Sequence, residues 1–220
     1  MSRAAGNLSA GLGAVYHLVE AYRLLGQLHN SQAAVEDALA FADSHNAGRA
    51  QDVGYVLVAE AELRYERNEL DVCQDALDRC ADITRWLSTK SMVPANICQA
   101  QIYIARGQAE LAHEALIIAQ RELHSWEAEQ EVAHIAAQIA SLQLSLGESA
   151  AVQQWQNQYR IDDQVSISYA NELVLVTMAR VLVAQGRGEN RSALTEALPL
   201  LDRLYDSATA AERTGRVIQI

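Results

Sequence analysis

The sequence predicts an all-α fold: a right-handed α-solenoid of about five antiparallel helix pairs with a repeat near 40 residues. Three observations predict it. Half of the 220 residues are apolar, Ala, Leu, Gln and Glu dominate, and only two Pro and eleven Gly interrupt the chain, a composition that favours helix over sheet. The turn residues Gly26, Asn68, Gly107, Gly147 and Gly186 recur at separations of 42, 39, 40 and 39. Seven residues before each of them stands a small or slim side chain: Val19, Ala61, Ala100, Ala140 and Ala179.

The first pair is carried by AYRLLGQLHNSQAAVEDAL, in which one helix ends before Gly26 and a second starts after it. LRYERNELDVCQDAL does the same around Asn68, IYIARGQAELAHEAL around Gly107 and LQLSLGESAAVQQW around Gly147, while VLVAQGRGENRSALTEAL supplies a fifth turn at Gly186. Gly or Asn suits the position just past a helix end because the backbone there turns left-handed. The small residues before each turn let two helices approach closely. Twelve residues after the first three turns, Ala38, Cys80 and Ala119 face back toward the first helix, whereas the fourth and fifth repeats carry Tyr159 and Leu198.

Larger side chains mark the seams. Trp86 and Trp126 fall near the ends of second helices, where a ring can plug the gap between repeats, and Trp155 sits earlier in its helix. Asp162 and Asp163, followed by Ser166 and Ser168, are expected to cap the next helix start. Pro199 lacks an amide proton and is expected to kink or divide the last second helix. The closing ERTGRVIQI places Val217, Ile218 and Ile220 at the start of the first helix of a sixth pair, whose turn residue falls past Ile220. Residues 1–220 are therefore expected to be a single helical-repeat domain that is a fragment of a longer protein.

Charge and cysteine usage narrow the function classes. A net charge of −11, with Lys90 the only lysine and the arginines scattered, repels a strand of phosphates and argues against direct contact with nucleic acid or anionic membranes. Cys73, Cys80 and Cys98 have no framework spacing; Cys73 and Cys80 are too far apart along one helix for a disulfide, so the thiols are expected to be small buried residues in a reducing cytoplasm. The start, MSRAAGNLSAGLG, has no apolar core of a signal peptide, and no run reaches the length of a transmembrane helix. No HExxH, no GxSxG and no ligand spacing among the six histidines occurs, so no catalytic residue, metal ligand or cofactor is assigned to this chain, and it is expected not to be an enzyme.

The repeat pattern resembles the tetratricopeptide repeat (TPR), with a period near 40 in place of the roughly 34 of its usual form. Two phrases narrow the resemblance. NELVLVTMARVLVAQGR with ERTGRVIQI, and GYVLVAEAELRYERNELDVC, are similar to the helical sensor region of the MalT-like regulators, the large ATP-dependent LuxR-type transcription factors. That resemblance implies a middle superhelix that senses a small-molecule effector or a protein partner, with an ATPase module and a helix-turn-helix module elsewhere in the full-length protein. A phosphate loop GxxxxGK[ST] is missing from these residues, and Lys90 lies in LSTKSMV, so neither nucleotide hydrolysis nor DNA reading is expected of them.

In a helical-repeat protein the first helices line the concave face. Counting back from the turns selects Tyr16, Glu20, Arg23, Glu62, Tyr65 and Gln101, a polar and aromatic set in the first three repeats, able to hydrogen-bond a small polyol or grip a peptide. His134 is a lesser addition from the fourth repeat. Glu20 and Arg23, three apart, are also placed to pair with each other. A free-standing TPR-type adaptor that takes a peptide or protein in this groove is the competing function.

Overall fold

The structure is a computed structural model that describes residues 2–48, 52–84, 92–159, 165–188 and 190–220. Among these residues every regular element is a helix: α1 (Ser2–Leu24), α2 (Leu28–Ser44), α3 (Val53–Glu66), α4 (Leu70–Thr84), α5 (Met92–Ala105), α6 (Ala109–Leu123), α7 (Glu129–Ser145), α8 (Ser149–Gln158), α9 (Tyr169–Arg187), α10 (Ser192–Ala210) and α11 (Thr214–Gln219). None of the helices is long and apolar enough to cross a membrane. The chain divides into two compact units, Met1–Ala115 and Leu116–Ile220.

The turn chemistry explains where the first helices stop. Gly26, Asn68, Gly107 and Gly147 have φ of 72°, 59°, 71° and 77°. Each sits in the same pair of backbone hydrogen bonds. In the first repeat Gly26 N–H donates to the Arg23 carbonyl at 3.0 Å and Gln27 N–H to the Tyr22 carbonyl at 2.8 Å; the equivalent amides at Asn68/Glu69, Gly107/Gln108 and Gly147/Glu148 repeat it. These paired bonds satisfy carbonyls that a helix end otherwise leaves orphaned. Two second helices stop the same way, with Asn46 after α2 and Glu212 after α10 in the left-handed region at 51° and 54°.

The fifth turn departs from the expected one. Gly186 lies inside α9, which runs on to Arg187 and is capped by Gly188. Its missing side chain serves packing instead: a Cβ there would lie 2.4 Å from Cγ and 3.1 Å from the backbone nitrogen of Leu194, at the start of α10. Gly186 thus lets two helices touch rather than letting one end.

In unit 1, α3 packs on both α1 and α2, and α5 packs on both α3 and α4, so each new first helix fills the groove of the preceding pair. Val19, Ala61 and Ala100 are buried at those approaches, and Ala38 and Cys80 are buried as the spacing requires, as is Ala119 in unit 2. The core of the first two repeats joins Leu12, Val19, Val35 and Ala38 to Val56, Leu57 and Cys80. In unit 2, α9 packs on α7 and α10 and carries the core through Val174, Met178 and Val181. Ala140 and Ala179 are buried there, whereas Leu198, at the position where earlier repeats are small, is exposed.

Several local expectations resolve differently. Among the described residues Trp155 is the buried tryptophan, packed 5.8 Å from the Tyr159 ring within the α7–α10 core, while Trp126 lies half-buried in the turn after α6. Trp86, Lys90, Asp162 and Asp163 lie outside the described residues. The N-cap of α9 is Ser168, whose backbone N–H donates to Asn171 Oδ1 at 2.8 Å. Pro199 does not divide α10, which runs unbroken from Ser192 to Ala210. Both Pro199 and Thr195 are exposed, so water can satisfy the carbonyl that proline leaves without a donor. Past α10, α11 spans Thr214–Gln219, where the start of a further first helix is expected. Ile220 packs against the Leu175, Val176 and Leu204 cluster, and Ile218 points to solvent.

Candidate functional site

Tyr16, Glu20 and Arg23 stand on α1 at spacings that place them on one helix face. Val19, at the centre of that stripe, is buried against the neighbouring repeat, which turns the polar residues beside it toward α3. On α3, Ala61 is fully buried, so Glu62, Tyr65 and Glu66 rise beside the contact. The repeat thus fixes two rows of polar side chains opposite each other.

Arg23 joins the rows. Its Nη1 donates to Glu62 Oε2, its Nε donates to Glu66 Oε1 at 2.8 Å, and Nη2 lies 2.6 Å from the same oxygen. One planar guanidinium therefore grips two carboxylates, an arrangement suited to its fork of donors. Tyr16 Oη donates to Glu62 Oε1 at 3.4 Å, and its ring meets Tyr55 edge-on with centroids 6.0 Å apart. Arg23 pairs across the repeat with Glu62 and Glu66, and Glu20 Oε2 lies 3.9 Å from His17 Nδ1.

The electrostatics follow from burial and neighbours. Burial pushes the Glu62 carboxyl above its ordinary pKa even though Arg23 pulls it down. Burial, with Glu62 and Glu20 adding to it, holds the Tyr16 phenol well above its ordinary value, so it is a neutral hydroxyl donor. For Arg23 burial acts to lower the pKa, and the two carboxylates Glu62 and Glu66 outweigh it, so the guanidinium is fixed in its charged form. The cluster holds three carboxylates to one guanidinium.

Of the six expected groove residues, Tyr16, Glu20, Arg23 and Glu62 come together. Tyr65 is half-buried, packed on Cys73, Ala76, Cys98 and Ile102, where burial raises its phenol. Gln101 is half-buried on α5 and shares no described hydrogen bond with the cluster. His134 stands on α7 with Nε2 3.5 Å from Gln138 Nε2, in the other unit. Counting from the turns missed Glu66 and Tyr55. Glu66 lies one helical turn beyond Glu62, so extending the α3 stripe by four residues would have found it.

A family model described as the MalT-like TPR region matches residues 1–220. The chain belongs to the MalT-like TPR region family. Comparison with curated proteins returns no match. In this MalT-like TPR region the first helices of the first two repeats carry the Arg23 cluster, and the same spacing recurs as polar contacts elsewhere. Arg180 Nη1 donates to Ser141 Oγ at 3.1 Å, and Thr177 Oγ1 donates to the Ala137 carbonyl at 3.2 Å. Partners 39 and 40 residues apart are what a repeat of that length brings side by side.

Proposed function

We propose that this MalT-like TPR region is the sensor part of a LuxR-family transcriptional regulator that acts in the cytoplasm. In this reading it is one domain of a longer chain whose ATPase and helix-turn-helix modules hydrolyse nucleotide and read DNA. The region itself binds a small polar effector or a protein partner and catalyses nothing, as TPR-type repeats bind rather than make or break bonds.

The observation that carries the proposal is Glu62. Its carboxyl sits on the seam between two repeats with a raised pKa, so its burial costs more than Arg23 returns. A charged group held at a net cost, beside a neutral phenol and on the face that a helical repeat offers to ligands, is better explained by binding than by stability. A hydroxyl-rich effector would accept from Tyr16 and Arg23 and donate to Glu20, Glu62 and Glu66. Tyr65 and Gln101 extend the same face toward the third repeat.

Isothermal titration of the region against a panel of neutral oligosaccharides, comparing the native chain with Arg23→Ala and with Tyr16→Phe, tests this reading. Saturable binding weakened at least tenfold by each substitution is expected; binding that both variants retain at full strength would remove the site. The excess of carboxylates favours a second reading, an adaptor gripping a basic peptide. A Lys- and Arg-rich peptide panel that binds with a steep loss on added salt, while the oligosaccharides do not bind, selects it. The genomic reading frame on both sides of residues 1–220 separates the two further, since the regulator needs a phosphate-binding loop on one side and a helix-turn-helix on the other.

A further inference from the structure

Cys73 lies in the first turn of α4 and Cys98 in the middle of α5, on the facing helix of the next pair. Their Sγ atoms are 3.7 Å apart, and both thiols are fully buried among Ala61, Ala76, Leu77 and Ile102. A covalent S–S bond of about 2.05 Å asks the two sulfurs to close by less than 2 Å from this separation. Cys80, by contrast, faces the Gly54 carbonyl at 3.5 Å, and burial pushes its thiol up to about 11. Sequence spacing had compared only Cys73 with Cys80; the pair that matters is made by the fold.

We infer that Cys73 and Cys98 are a peroxide-responsive dithiol that closes reversibly to an intramolecular disulfide, pinning α4 to α5. The two sulfurs have unequal roles. The hydrogen bond with Cys98 lowers the Cys73 thiol's pKa, and the same bond, with burial, raises that of Cys98. Cys73, in the first turn of α4 beside the exposed Asp71 and Val72, is the sulfur that peroxide reaches first; as thiolate it attacks an oxygen of hydrogen peroxide, breaking the O–O bond to leave a sulfenic acid and a hydroxide. Cys98 then attacks the Cys73 sulfur and expels the second oxygen. Both thiol protons leave in water, so two thiols and one peroxide become one disulfide and two waters.

Burial sets the rate of this chemistry. Asp71 and Val72, just before Cys73, are exposed, so the peroxide reaches the pair when the first turn of α4 lifts from α5. Tyr65 packs on the same cluster, so closure fixes the neighbourhood of one candidate groove residue.

The test uses the native chain, reduced, freed of reductant and exposed to hydrogen peroxide while folded. It is then unfolded in N-ethylmaleimide, digested and mapped by mass spectrometry. Expected are a linked pair of peptides containing Cys73 and Cys98, lighter by two hydrogens than their sum, with Cys80 alkylated, and full recovery of three alkylatable thiols after dithiothreitol. The Cys80→Ser variant should give the same link. Cys73 and Cys98 that remain alkylatable, a link involving Cys80, a link between two chains, or a link that forms only in urea would each overturn the inference.

Discussion

Single side chains in this protein are governed by what faces them across a helix contact, and three make separable predictions. Gly186 has no room for a methyl group, because the obstructing atoms include the backbone nitrogen of Leu194 and not only its flexible end. Gly186→Ala is expected to lose about 1–3 kcal/mol in urea denaturation despite the better helix propensity of alanine. Arg23→Ala leaves Glu62 buried with no cation beside it; the side chain of Glu62 is 12% exposed and that of Arg23 21%, so the expected loss is about 2 kcal/mol, below that of a fully buried pair. Glu62→Gln behaves oppositely. A raised carboxyl pKa means that the folded state holds the proton more tightly than the unfolded chain, so ionised Glu62 takes stability away as pH rises through that raised value. The variant should therefore match the native chain at acid pH and equal or exceed it in Tm at neutral pH; on the proposed function it would also weaken oligosaccharide binding. A Tm that falls on this substitution at neutral pH would mean that Glu62 is structural.

Helices were legible in the sequence wherever their ends carry their own chemistry. Gly26, Asn68, Gly107 and Gly147 announce themselves because the left-handed turn admits few residues, and the buried small residues seven positions earlier follow from the same register. Gly186 misled because glycine also serves close packing, a use that depends on where α10 lies and leaves no local mark. The Arg23 grip on Glu62 and Glu66, and the meeting of Cys73 with Cys98, were hidden for a similar reason: each joins residues from different repeats, and a one-residue change in register would part them. The end of unit 2 shows the same physics. Glu172 on α9 is 1% exposed, accepts from Arg213 at 2.7 Å and from Arg216 Nε at 3.0 Å, and so holds α11 to the preceding pair through charge as much as through Ile220. Glu172→Ala strands two guanidinium groups, and about 3 kcal/mol of local stability should go with it. Amide exchange of residues 214–219 is expected to rise by roughly a hundredfold, the equivalent of that loss. Unchanged protection there would show that apolar contact alone docks α11.

At the scale of the whole molecule the repeat decides how damage spreads. A helical repeat has no single central core; each pair is completed by its neighbour, so stability is close to a sum of local terms. The clusters described above obey this, since those built on Leu57 and on Cys98 draw residues from unit 1 alone, and those built on Val181 and on Leu175 draw from unit 2 alone. A sensor made this way can be altered at one seam without melting elsewhere, which suits a ligand site placed between two first helices. Leu57 offers the sharpest test. It is fully buried on α3 and belongs to the core it shares with the first pair. Leu57→Ala removes that packing and leaves a cavity, at a cost of about 3 kcal/mol. In a globule with one cooperative core every slow-exchanging amide would feel that loss. Here hydrogen exchange should accelerate across α1 to α4 and fade within α5, with the amides of α7, α9 and α10 exchanging at their native rates. Equal acceleration along the entire chain would instead mark a single cooperative core.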